Sequence, residues 1–168
     1  MKIPINIPDI DDEEIREVRN VLSEKLLTSS SFDGGTRVQQ FEKLLSKFTK
    51  SKFAVAVNSG TAALQASLHA LDIKSGDEVL IPSFTFVATA NSVKSVGAKP
   101  VFVDILKDNY TMNPDDLRKK ITKRTKAVIP VHLYGHIAYM KEILEITTKN
   151  NLKIIEDASQ SLGSKLNG

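Results

Sequence analysis

Five short, almost wholly apolar runs recur along the chain, and amphipathic stretches separate them. Within each run the apolar residues are consecutive rather than alternating with polar ones, which is typical of parallel strands buried on both faces. Strands that alternate with helices indicate a parallel sheet with right-handed crossovers. The pattern therefore predicts an α/β fold, with a mostly parallel sheet and helices on both of its faces. The predicted strands are residues 53–57, 78–81, 100–105, 126–131 and 152–155.

Helical signals occupy the stretches between these runs. Asn113 is suited to cap a helix that begins at Pro114, because proline lacks an amide that would be left unpaired at a first helical position. The helices predicted in this part of the chain are residues 62–71, 85–96, 114–121 and 137–149.

Residues 1–50 have a different organisation, with two amphipathic helices on either side of a polar, glycine-rich loop. The acidic residues 11–14 favour a helix start through the helix dipole. Ile15, Val18, Leu22 and Leu26 then recur at three- and four-residue steps. We therefore expect a helical arm at residues 1–50, packed outside a sheet domain at residues 51–168.

The chain ends directly after its last predicted strand. Residues 161–168 contain no segment that predicts a further helix, although a finished α/β domain normally covers such a strand. The sheet domain is therefore expected to be incomplete at its C-terminus.

Composition argues against several classes of function. The 168 residues carry a formal net charge of +3, and basic side chains are interspersed with acidic ones, so no like-charge block suggests a nucleic-acid partner. The absence of cysteine excludes disulfides, thiolate catalysis and cysteine metal sites. Neither a signal core nor an apolar run of the ~18 residues that a membrane helix requires is present. A cytoplasmic protein without a membrane partner is the expectation.

Three segments at predicted strand ends could carry chemistry, because α/β proteins bind ligands beyond the carboxyl ends of their strands. The first reads Asn-Ser-Gly-Thr-Ala-Ala at residues 58–63 and opens a helix, where unpaired amides and the helix dipole attract anions. Gly60 would let the backbone approach a phosphate, and Thr61 adds a hydroxyl. An ordinary turn with serine or threonine capping explains the same residues as well.

The other two segments leave alternatives open. Phe84 and Phe86 follow a strand, and they either stack on a flat cofactor or belong to the core. Glu156 and Asp157 end the last strand, where a carboxylate could pair with a cationic ring nitrogen, cap the next turn or bind a metal. No suitable histidine adjoins these carboxylates in sequence, and His132 lacks the further ligands that a zinc site needs.

Together these segments resemble the sugar aminotransferases of the DegT/StrS type, which are pyridoxal 5′-phosphate (PLP) enzymes with the aspartate-aminotransferase fold. The resemblance runs from about Ile3 to the end of the chain, and it implies the three-layer large domain of fold type I PLP enzymes. It includes Gly34 and Gly35, which would lie near the active site of a dimer. It rests on five motifs in the same order at similar spacing: FAVAVNSGTAAL, GDEVLIPSFTFVATANSV, GAKPVFVDI, KAVIPVHLYG and LKIIEDASQSLGS.

The resemblance also implies roles for individual residues around PLP. Gly60, Thr61 and Ala62 would bind the phosphate, and Phe86 would stack on the ring. Asp157 would contact the protonated ring nitrogen, and Gln160 would lie near the phenolic oxygen.

In the resembling family the Schiff-base lysine lies beyond the EDASQ segment, and this sequence ends before it. Lys165 is the only lysine after Asp157, and it does not lie in the family's lysine motif. The chain is therefore expected to lack both a catalytic residue and the C-terminal domain, and to be inactive alone.

The implied reaction transfers an amino group, typically from glutamate, to a nucleotide-linked keto-sugar. The implied partner is a second copy of the chain or a separate C-terminal half. Three alternatives remain open at this point: a PLP-dependent sugar dehydratase, which carries histidine in place of the lysine, a non-catalytic or regulatory family member, and an unrelated α/β domain that binds nucleotides.

Overall fold

A computed structural model describes residues 7–25 and 27–166 of the chain. The contacts divide it into two units, Met1–Ala56 and Val57–Gly168. None of the described helices has the length and apolar character needed to cross a bilayer.

The described part of the first unit contains two helices, α1 at Asp12–Glu24 and α2 at Thr36–Thr49. The Asp11 side chain caps α1 by accepting a hydrogen bond from the amide of Glu13, and the Glu14 carboxylate accepts one from the amide of Asp11. This capping box confirms the predicted acidic helix start. Neither helix contains a buried residue, and most of their apolar side chains are exposed, among them Ile15 and Leu22 of α1 and Phe41 and Leu44 of α2. Leu26, predicted to extend the first face, lies outside the described residues.

The second unit alternates strands and helices. Its strands form one parallel sheet in the order β2-β1-β3-β4. The elements are α3 at Gly60–Ala70, β1 at Glu78–Pro82, α4 at Val87–Ser95, β2 at Lys99–Val103, α5 at Pro114–Lys120, β3 at Thr125–Val128, a 3₁₀ turn at Leu133–Gly135, α6 at Met140–Lys149 and β4 at Lys153–Ile154.

Helices cover both faces of the sheet, as the apolar runs predicted. Val79 and Ile81 of β1 pack in one apolar cluster with Leu68 of α3 and Val93 of α4. Leu80 points to the opposite face, where it packs in a second cluster that includes Ile143 of α6. Two cores on one buried sheet make a three-layer α/β/α unit.

The predicted strand at residues 53–57 is wrong. This segment has no strand or bridge partner among the described residues, and the sheet has four strands rather than five. Phe53 and Val55 are 75% and 79% exposed. An apolar run forms a strand only when a neighbouring strand takes up its backbone hydrogen bonds, and local sequence does not report that neighbour.

Glu78 begins β1 at the amino-terminal edge of the sheet, and only 3% of its side chain is exposed. Its carboxylate accepts hydrogen bonds from Thr122 Oγ1 at 2.6 Å and from Arg124 Nη2 at 2.8 Å. Lys99 Nζ lies 3.5 Å away. The hydrogen bonds from Thr122 and Arg124 hold the pKa of Glu78 below its ordinary value, although burial raises it.

Substitution of Glu78 by glutamine is expected to lower the free energy of unfolding at neutral pH by about 1.5–3 kcal/mol, the scale for hydrogen bonds to a charged group. Because the folded-state pKa is lowered, the carboxylate stabilises the fold above its unfolded-state pKa. That contribution is lost as the pH falls through the folded-state pKa. In denaturation curves from about pH 7 to about pH 3, the wild type should therefore converge on E78Q.

The exposed Glu145 on α6 offers the matched control, since Glu145→Gln should change the unfolding free energy little at any pH. A difference between the wild type and E78Q that stays constant across the pH range would contradict the assigned ion cluster.

Candidate functional site

The carboxyl ends of the parallel strands lie at one edge of the sheet, and the chain after β4 continues along that edge beside the segment that follows β3. The amide of Asp157 donates to the carbonyl of Pro130 at 2.9 Å, and the amide of His132 donates to the carbonyl of Asp157 at 3.1 Å. These bonds hold the backbone of Asp157 where α/β proteins bind their ligands.

Three donors surround the Asp157 carboxylate, which belongs to a residue only 9% exposed. Oδ1 accepts from the Ser159 hydroxyl at 2.6 Å and from the Ser159 amide at 3.2 Å. Oδ2 accepts from the hydroxyl of Thr89, a fully buried residue of α4, at 3.3 Å. Asp157 therefore does cap the following turn, as one alternative proposed. A carboxylate with about four acceptor directions retains capacity for a cationic N–H.

Helix α3 begins beside this carboxylate. Ser59 is its N-cap, and the Ser59 hydroxyl accepts from the amide of Ala62 at 3.2 Å. The capping alternative is therefore present as well. The first intrahelical hydrogen bond runs from the amide of Ala63 to the carbonyl of Ser59 at 3.0 Å. The amides of Gly60 and Thr61 therefore have no acceptor within the helix, and the dipole adds partial positive charge there. An anion at this end would meet these two amides first, since Ala62 already donates to Ser59.

Ser159 links the two features. A Cβ added to Gly60 would lie 3.3 Å from the Ser159 hydroxyl, closer than most such contacts. The same hydroxyl donates to Asp157. The start of α3 and the Asp157 carboxylate are thus both next to one serine side chain, and the absence of a side chain at Gly60 leaves the helix start open there.

Phe86 is the N-cap residue of α4 and is 72% exposed. Its carbonyl accepts from the amide of Thr89 at 3.1 Å, so the exposed ring stands one turn from the threonine that contacts Asp157. Phe84 is 47% exposed and its ring centroid lies 5.9 Å from that of Tyr110. The alternative that these two phenylalanines form core is therefore wrong.

Gln160 is exposed, and its side-chain oxygen accepts from the amide of Tyr134 at 2.9 Å. Tyr134 has a φ of 52°, a left-handed conformation that is uncommon for a residue with a side chain. The contact ties the segment after Asp157 to the turn after β3. It also directs the amide oxygen of Gln160 to the protein, which leaves the amide nitrogen to donate to a ligand.

Lys165 lines a different part of the surface, an open recess of about 600 Å³ that it shares with Tyr139 and Lys141. The lining of this recess includes neither Asp157 nor Gly60. The predicted place of Gly34 and Gly35 beside an active site stays a prediction. In the first unit these glycines end the loop before α2, and Gly34 has a φ of 75°.

Sequence reasoning missed Thr89, Ser159 and the partner of His132. The Nε2 atom of His132 lies 2.8 Å from Oε2 of Glu156, so a histidine does adjoin this carboxylate in space. Within residues 7–25 and 27–166, no group of three or more histidine or acidic side chains is gathered to hold a metal ion. For Thr89, the available signal was a threonine in the first turn of a helix that follows a strand.

Known proteins resemble this chain in sequence and in fold. Residues 8–168 match the model of the DegT/DnrJ/EryC1/StrS aminotransferase family. The chain is 39% identical to 3-oxo-glucose-6-phosphate:glutamate aminotransferase of Bacillus subtilis, over 92% of the chain and 35% of that protein. It is 37% identical to GDP-perosamine synthase of Escherichia coli O157:H7, over 99% of the chain and 44% of that protein.

A solved structure of GDP-4-keto-6-deoxymannose-3-dehydratase, with a trapped PLP–glutamate geminal diamine, has a TM-score of 0.90 at 29% identity. The match covers 99% of this chain and 44% of that one. The chain thus spans less than half the length of each of these proteins.

The family match extends over nearly the whole chain, and the three-layer unit has the architecture of PLP-dependent aminotransferases of fold type I. The resemblance drawn from the sequence motifs and the fold class that it implied are both confirmed. The chain belongs to the DegT/DnrJ/EryC1/StrS aminotransferase family.

Proposed function

We propose that this chain is the N-terminal part of a PLP-dependent enzyme that transfers an amino group from glutamate to a nucleotide-linked keto-sugar. The observation that carries the proposal is the Asp157 carboxylate, buried at the sheet edge and joined through Ser159 to the start of α3. A flat, phosphorylated, cationic heterocycle needs these two features side by side.

The residues present fit PLP. The open helix start at Gly60 has amides for a phosphate, and the buried carboxylate has acceptor capacity beyond its three donors. When bound, PLP supplies an electron sink that permits amino-group transfer.

Each of the site residues has a defined task in this proposal. Gly60 and Thr61 donate amide hydrogen bonds to the phosphate, and the Ala62 amide joins them if Ser59 releases it. Asp157 accepts the hydrogen bond of the ring N–H and holds that proton in place. Phe86 covers one ring face and excludes water from it, and Gln160 donates its amide N–H near the phenolic oxygen.

We propose further that the lysine which anchors PLP covalently comes from polypeptide outside residues 1–168. The support is that the relatives are more than twice as long as this chain, which matches only 35–44% of their length. The chain then comprises the helical arm and part of the PLP-binding domain, and it is inactive without the remainder. A homodimer or a complex with a C-terminal half would use the exposed apolar faces of α1 and α2.

A sugar dehydratase is the second candidate, because the dehydratase structure shares the fold of this chain over nearly all of its length. The two activities would differ at the position of the anchoring lysine, which a dehydratase replaces by histidine. Lysine at that position in the remaining polypeptide would identify an aminotransferase, and histidine would identify a dehydratase.

Calorimetric titration of the chain with pyridoxamine 5′-phosphate tests the cofactor part of the proposal. This compound carries the phosphate and the ring nitrogen but needs no lysine. We expect saturable binding at one site. Heats no greater than those of an equal titration with inorganic phosphate would contradict a PLP site in this chain.

The reaction itself is tested by expressing the chain together with the coding sequence that continues or neighbours it. Formation of 2-oxoglutarate from glutamate, dependent on a nucleotide-linked keto-sugar, is the expected result. Loss of a sugar hydroxyl without a net gain of nitrogen would instead identify the dehydratase.

A further inference from the structure

His132 follows Val131, which forms an isolated parallel bridge with Asp157 beyond the end of β3, and it is 4% exposed. The proposed reaction gives it no chemical task. Its ring nevertheless makes two hydrogen bonds, one to the carboxylate of Glu156 and one to the backbone amide of Ala138. The imidazole is therefore buried and hydrogen-bonded on both nitrogens, next to the proposed cofactor site.

The two contacts determine where the ring proton lies. The amide of Ala138 can only donate, and it approaches Nδ1 at 3.2 Å, so Nδ1 is the acceptor and carries no proton. Nε2 then carries the proton and donates it to Oε2 of Glu156 at 2.8 Å. The same hydrogen bond holds the pKa of Glu156 below its ordinary value.

The backbone of His132 contacts Asp157, the residue that follows Glu156. Its amide donates to the carbonyl of Asp157, while its ring holds the side chain of Glu156. Strand β4 spans only Lys153–Ile154, so the Asp157 backbone depends on these bonds and on the bond to Pro130. Two consecutive residues are therefore fastened to one histidine.

We propose that His132, as a neutral imidazole protonated on Nε2, is a positioning residue for Asp157. By tying Glu156 to the segment around Ala138, it keeps the peptide between Glu156 and Asp157 from turning. The Asp157 carboxylate then stays directed toward Thr89 and Ser159, with its remaining acceptor capacity toward the ring nitrogen. This inference rests on the proposed function for its consequence, but not for its geometry.

The tautomer is tested first, with the ¹⁵N-labelled chain and long-range ¹H–¹⁵N correlation spectra of the histidine rings. The His132 signals are those that disappear in His132→Gln. At neutral pH they should show an unprotonated Nδ1 and a protonated Nε2. The opposite tautomer, or an imidazolium, would overturn the proposal.

Positioning is tested by amide hydrogen exchange at Asp157 and Ser159. Glu156→Ala removes the acceptor of the ring without altering the buried histidine, and exchange should accelerate roughly 3- to 10-fold, the scale of one lost hydrogen bond. Glu156→Gln keeps an acceptor oxygen and should restore the wild-type rates. His136→Gln, an exposed histidine four residues away, is the matched control. Wild-type exchange in Glu156→Ala would refute the positioning role.

Affinity for pyridoxamine 5′-phosphate connects the geometry to the cofactor. Glu156→Ala and His132→Gln should each weaken binding roughly 3- to 10-fold, and Glu156→Gln and His136→Gln should not. Absence of binding by the wild type would reject the proposed function, and the exchange rates would then decide the role of His132 alone. Normal affinity in Glu156→Ala, despite faster exchange, would show that the anchor does not serve the cofactor.

Discussion

Asp157→Asn is expected to weaken binding of pyridoxamine 5′-phosphate by about 10- to 100-fold, which corresponds to the roughly 1.5–3 kcal/mol of a hydrogen bond to a charged group. The wild-type carboxylate is buried among three donors, and in the proposed complex it would be the counter-ion of the ring nitrogen. A neutral amide removes that charge, so the protonated ring nitrogen loses its counter-ion.

The substitution should leave the fold intact. The amide oxygen of asparagine can still accept from the amide and hydroxyl of Ser159, and its nitrogen can donate to the Thr89 hydroxyl. Calorimetric titration measures the affinity, and urea denaturation of the unliganded variant checks the fold. Asp108→Asn makes the same chemical change at an exposed position and serves as the control. Unchanged affinity in the Asp157 variant would remove the main support for a PLP site.

Leu80→Ala is expected to lower the free energy of unfolding of the second unit by about 2–5 kcal/mol. Leu80 lies in β1, an interior strand, and is 0% exposed. It contributes to the apolar cluster between the sheet and the layer formed by α5 and α6. Neighbours on a paired strand cannot move far enough to fill the space that the smaller side chain leaves.

Urea denaturation followed by far-ultraviolet circular dichroism measures this loss, and an unchanged dependence on urea would show that the same structure unfolds. Leu162→Ala removes the same atoms from a side chain that is 68% exposed, and it should change the unfolding free energy by less than about 0.5 kcal/mol. Equal losses in the two variants would contradict the position of Leu80 in the core.

Much of the fold was predictable because the information was local. Consecutive apolar residues identified the four observed strands, and Asn113 with Pro114 identified the start of α5. The strand predicted at residues 53–57 failed for the opposite reason. A strand is defined by its neighbour, and nothing in the five residues reports whether one is present.

Some residues of the candidate site could be predicted from local sequence and others could not. Gly60 and Asp157 were recognisable from their motifs, since each stands at the junction of two elements. Thr89 and Ser159 were not, because each matters through a contact that only the fold creates. Glu156 and His132 lie 24 positions apart, and the parallel bridge between Val131 and Asp157 brings them together.

Among the described residues, the order β2-β1-β3-β4 leaves two outer strands, and both carry features that discourage intermolecular strand addition. Pro100 deprives β2 of one amide, and Lys99 places a charge at its start. Strand β4 offers only two residues, one of them a lysine. Amyloid-like growth from the sheet is therefore disfavoured. Turbidity of concentrated solutions should instead respond to polar substitutions on the apolar faces of α1 and α2.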